Sequence, residues 1–108
     1  MTDSPIVRGT GNVFADLGMP DADERQTKTR LAMAVNEIIH GFKLKQIDAA
    51  RILGIPQPRV SALARYRLNE FSVEKLMGFL TSLDHDVEIM IRPRGNNGTG
   101  AVSVLTVR

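Results

Sequence analysis

The chain has 108 residues, enough for one domain with a modest core, and its 43% apolar and 24% charged content is that of an ordinary globular protein. It contains no cysteine, which excludes disulfides and zinc–thiolate sites and fits a cytoplasmic protein. No apolar run approaches the ~20 residues of a membrane span, and the opening MTDSPIVRGTGN lacks the basic-then-apolar order of an export signal.

The formal charge is only +2, but it is unevenly spread. Residues 1–40 carry four basic and six acidic groups, residues 41–80 seven basic and three acidic, and residues 81–108 three of each. The positive excess falls on the middle of the chain, where a phosphate-binding surface would need it.

Residues 1–20 read as an arm. Its first part is polar and broken by Pro5, Gly9 and Gly11, and its second carries Val13, Phe14, Leu17 and Met19, an apolar segment expected to dock on its own domain or on a partner. A first helix is expected from about Ala22 to His40, capped by Asp21 with Glu24 three residues on, and ended by Gly41. Leu31, Val35, Ile38, Ile39 and Phe42 form its apolar stripe, while the opening DADERQTKTR is polar all round and should face solvent.

The stretch QIDAARILGIPQPRVSALAR, residues 46–65, is the centre of the chain. Ala49, Ala50, Ile52 and Leu53 recur at helical spacing over Gln46 to Leu53, and Gly54 stops that helix with a left-handed backbone that carries no Cβ penalty. Lys45 stands where Ser or Thr would normally cap it, which forgoes about 1 kcal/mol and sets a cation at the positive helix end unless a phosphate is near. A second short helix begins near Pro58, with Gln57 as the flanking residue, and runs to about Tyr66. Two short helices about a glycine-centred turn make a helix-turn-helix, the unit that presents its second helix to the DNA major groove. Ala50 is expected at the helix crossing, with Leu53, Ile55, Val60 and Leu63 filling the wedge behind, and Gln57, Arg59, Ser61 and Arg65 facing out.

After a loop from Arg67 to Phe71, Ser72 is a plausible cap for a fourth helix whose apolar face is Val73, Leu76, Met77, Leu80 and Leu83. Asp84-His85-Asp86 breaks that helix. Val87, Ile89 and Ile91 then alternate with Glu88, Met90 and Arg92, and AVSVLTV at 101–107 has strand composition, so a short C-terminal β-strand pair is expected. Because a lone hairpin is marginal in water, it should lie on the helices or pair with a second subunit, unless the final segment is a disordered tail instead of a strand. The expected organisation is an arm (1–20), a helix-turn-helix domain (21–84) and C-terminal strands for dimerisation (85–108).

Gln46, Ala50, Gly54, Ile55, Val60 and Leu63 resemble the spacing of the Xre/Cro-type helix-turn-helix family of phage and bacterial repressors. NVFADLGMPDADE, IPQPRVSAL and FSVEKLMGFLTSLDHDVEIMIRPR are similar to the HigA-type antitoxins, and the resemblance covers about residues 11–94. It implies a mainly α, four- to five-helix, lambda-repressor-like domain in a cytoplasmic bacterial protein that represses its own operon, and pairing with a RelE-fold toxin. The segment Val13 to Met19, with the start of the first helix, is the expected toxin contact. Lys45 and Pro56 depart from the family, which often has a hydroxyl cap there.

By this resemblance Gln57, Arg59, Ser61 and Ala62 read bases, and their chemistry agrees: Gln pairs with adenine, Arg with guanine, Ser with either, and an Ala methyl with thymine. Lys45, Gln46, Arg65 and Arg67 are expected at phosphates. One such domain reads only a few base pairs, so a homodimer on a palindromic operator is expected, with Val87, Ile89, Ile91, Val102 and Val104 as the dimer contact or, in the blander alternative, as an intrachain closure of the core.

Other constellations are poor. His40 and His85 lie far apart without cysteine, so no metal site is expected, and no Ser–His–Asp set suggests catalysis. Gly95 to Gly100 has no lysine and no following helix, so it is a turn and not a phosphate loop. No cofactor is called for, and an enzyme is the least supported reading. The alternatives that remain are a stand-alone dimeric repressor without a toxin, and an interaction module that has lost DNA.

Overall fold

A computed structural model describes residues 21–95 and 100–107. Among the described residues four helices follow one another: α1 (Asp21–Gly41), α2 (Gln46–Leu53), α3 (Gln57–Ala64) and α4 (Val73–Ser82). The expected arm and its apolar segment lie outside the described residues.

The helices pair as the apolar positions dictate. α2 packs on α3, and α4 lies chiefly along α1 while also touching α2. One core joins them: Leu31, Ala32 and Val35 of α1, Ala49 and Leu53 of α2, Val60 and Leu63 of α3, and Leu76, Phe79 and Leu80 of α4 are all buried. Phe71, just before α4, meets Phe79 edge-to-face at 5.9 Å and 75°, the geometry the aromatic quadrupole favours. The wedge residues Leu53, Ile55, Val60 and Leu63 are buried as the sequence predicts, but the alanine at the bottom of α2 is Ala49, with Ala50 half-buried. On α1 the stripe holds at Leu31 and Val35, whereas Phe42 is 59% exposed in the turn beyond the helix. The first turns are less solvated than expected, since Thr27 is buried beside a Glu24–Lys28 ion pair of 3.6 Å.

These four helices end in the same way. Leu44 N–H donates to the Ile39 carbonyl, Ile55 to Ala50, Arg67 to Ala62 and His85 to Leu80, at 2.9–3.1 Å. The residue before each donor has positive φ: Lys43 at 56°, Gly54 at 71°, Tyr66 at 61° and Asp84 at 65°. This six-to-one closure satisfies carbonyls that a helix end otherwise leaves without partners. α1 therefore runs through Gly41, the expected stop, and turns at Lys43. α3 starts one residue earlier than expected, because the Pro56 carbonyl accepts from Arg59 and Val60 N–H, which makes Pro56 and not Gln57 the flanking residue. Ser72 does cap α4, its hydroxyl accepting from Lys75 N–H at 3.0 Å.

The expected C-terminal β-strand pair is overturned: there is no β-strand among the described residues. The described part of the chain after His85 is irregular and makes no backbone–backbone hydrogen bonds. Alternating apolar residues give a segment strand character, but a ladder needs a partner, and two strands without a third are marginal alone. Here one valine from each segment, Val87 and Val104, packs on the helical core instead.

Candidate nucleic-acid interface

Helical geometry fixes which α3 side chains are available. Val60 and Leu63 are buried, so Pro58, Ser61, Ala62 and Arg65 occupy the opposite side, with Gln57 and Arg59 on the two flanks. Two adjoining clefts share Pro58. A shallow one is lined by Gln46 at the start of α2 together with Gln57, Pro58 and Ser61 of α3. The other is lined by Pro58, Arg59, Ala62, Arg67, Asn69, Glu70 and Phe71. Gln46, expected at a phosphate, is thus brought together with Gln57 and Ser61, expected at bases, and Arg67 likewise with Arg59 and Ala62.

Lys45 is exposed beside Gln46, in extended backbone at φ −76° and ψ 159°, and makes no side-chain cap bond. The amino end of α2 therefore keeps its uncapped N–H groups and its positive dipole. α3 is different, since Pro56 and Pro58 carry no N–H at all. A phosphate finds more backbone donors at α2 than at α3. Arg65 and Arg67 are both exposed in the turn that ends α3.

Arg59 is held differently from the other expected base readers. Its guanidinium carbon lies 4.6 Å from the centroid of the Phe71 ring, and Nη2 donates to the Glu70 carbonyl at 3.3 Å. Its Nε is buried without a hydrogen-bond partner. A cation over an aromatic face contributes about 0.5–2 kcal/mol depending on solvation, and a bond from a charged donor about 1.5–3 kcal/mol.

The positions assigned to a dimer contact divide. Val87 and Val104 are half-buried on their own core, whereas Ile89 and Ile91 are 74% and 87% exposed and Val102 is 40% exposed.

Sequence reasoning missed Asn36, whose Nδ2 donates to the Leu63 carbonyl at 3.1 Å and ties α1 to the end of α3. Its signal was a polar side chain inside the apolar stripe, four residues after Ala32 and three before Ile39. Phe71, Asn69 and Glu70 lie in a loop by sequence, and what gives them a role is their place beside Arg59.

A family model described as a helix-turn-helix domain matches residues 13–92. A solved structure named as an XRE family transcriptional regulator is 52% identical, with a TM-score of 0.79, over 82% of this chain and 100% of that one. The chain belongs to the XRE family of helix-turn-helix transcriptional regulators. No curated protein matches it. A helix-turn-helix presents its second helix to the major groove; in this XRE regulator the second helix is α3, with the two clefts meeting at its Pro58. No helix among the described residues of this regulator is long and apolar enough to cross a membrane, and no group of three or more His, Cys, Asp or Glu among them could hold a metal ion.

Proposed function

We propose that this XRE regulator is a sequence-specific repressor that binds a palindromic operator as a homodimer. The observation that carries this reading is the juxtaposition of Gln46 with Gln57 and Ser61 on one outward surface, where hydrogen-bonding side chains meet the amino end of α2. Gln57, Ser61 and Ala62 contact base edges, with Gln57 suited to adenine and the Ala62 methyl to thymine. Lys45, Gln46, Arg65 and Arg67 contact phosphates and fix the register. The second copy covers Ile89, Ile91 and Val102, apolar side chains that their own chain leaves exposed.

A duplex selected by the protein from a random library, then footprinted, tests this. Two half-sites one helical turn apart are expected. Failure to enrich any sequence over non-specific duplex would refute it.

The antitoxin role is the finer reading. Its support is the similarity of IPQPRVSAL and the segment after it to HigA-type antitoxins, and the partner would be a RelE-fold toxin. Co-expression with the product of an adjacent small gene tests it: relief of growth arrest supports the role. Unchanged arrest leaves a stand-alone dimeric regulator.

A further inference from the structure

We propose that Arg59 is a positioning residue for DNA recognition, a brace that fixes the loop between α3 and α4, and not itself a reader of bases. The proposal rests on the duplex-binding reading above.

The stacked guanidinium covers a ring that belongs to the core. Phe71 is buried and packs edge-to-face on Phe79 of α4, so Arg59 extends the packing of α4 out to the surface beside α3. Its Nη2 bond ends on the Glu70 backbone carbonyl, which ties the loop chain itself and not a movable side chain. Nε, buried and unpartnered, cannot join Nη2 in the side-on fork while the side chain stays docked, and the end-on fork of Nη1 and Nη2 would have to share Nη2 with the Glu70 carbonyl. Leaving the dock would expose Phe71 to water and release the Glu70 carbonyl. What a guanine contact returns is of the same size as what undocking gives up, so moving to a base brings no net gain.

The brace acts on what shares its cleft. Arg67 and Asn69 line it with Arg59, and Arg67 is further set by its N–H bond to the Ala62 carbonyl at 2.9 Å. Fixing Glu70 and Phe71 holds Arg67 and Asn69 at a constant height beside the recognition helix, where a phosphate passes when α3 occupies the groove. Arg59 thus contributes to affinity through Arg67, with no sequence information of its own.

The test uses the full chain, a duplex selected by the wild-type protein, and its single-base variants. In the wild-type protein the Arg59 side-chain protons should be shifted upfield by the Phe71 ring, and the shift should persist when the duplex is added. Arg59→Ala should weaken binding to the selected duplex and to every variant by the same factor, about tenfold, and reduce the salt slope by about 0.9. Arg67→Ala should do the same, and the double variant should be no worse than either single one. Two results would overturn the brace. One is loss of the upfield shift on adding duplex; the other is an Arg59→Ala defect confined to one base pair of the site. Wild-type protein that keeps the shift yet binds no duplex would overturn the DNA reading, and the role in recognition with it.

Discussion

Replacing Gly54 and Gly78 by alanine, one at a time, separates backbone conformation from packing. An added Cβ meets nothing within 4 Å at either position, so neither substitution fills a cavity or creates a clash. Gly78 lies within α4, where alanine is favoured over glycine by about 0.8–1.0 kcal/mol. Gly54 has φ 71° and ψ 32°, where a Cβ costs about 1–2 kcal/mol, offset by the 0.4–1 kcal/mol that a less flexible unfolded chain returns. Gly54→Ala should therefore destabilise by about 1 kcal/mol, and Gly78→Ala should stabilise by about the same amount. For a domain of this size each kcal/mol moves Tm by about 4–8 °C. Thermal unfolding by circular dichroism should show the two variants on opposite sides of wild type. Shifts in the same direction would refute the claim that a left-handed residue ends α2 and sets the angle of the helix-turn-helix.

Lys45→Ser installs the missing cap on α2, so it should raise stability by about 1 kcal/mol in denaturant unfolding while weakening duplex binding and lowering the salt slope by about 0.9. Gln57→Ala should cost about 1–3 kcal/mol on the selected duplex and relax preference at one base pair, which a binding series over single-base variants reads directly. Leu63→Ala, at a side chain with no exposure, should cost about 2–5 kcal/mol and lower the urea midpoint accordingly. Asn36→Ala should cost about 1 kcal/mol, no more, because the Leu63 carbonyl still accepts from Tyr66 N–H at 3.1 Å.

The helix-turn-helix was legible because its signals are local. Apolar residues three and four apart name the buried side of α2 and α3, and Gly54 names the turn between them. Helix ends were less legible, since only one of the four left-handed terminators is a glycine. Lys43, Tyr66 and Asp84 take the same conformation, held by a backbone bond that composition does not announce. The C-terminal segments misled for a related reason: alternation reports an extended chain with two faces, but a strand also needs a neighbour along its edge. Counting around α3 puts Gln57 and Arg65 outward, and both are exposed. The docking of Arg59 was not legible, because what holds it is Phe71, twelve residues away in the chain and adjacent only after folding.

The most direct test of the account is a backbone amide chemical-shift titration of the full chain with the selected duplex. Saturating shifts should concentrate at the amino end of α2, along the outer side of α3 and at Arg67, which puts Lys45, Gln46, Gln57, Ser61 and Ala62 in one contact surface. Shifts confined to α4 or to residues 85–95, with α3 unmoved, would contradict it.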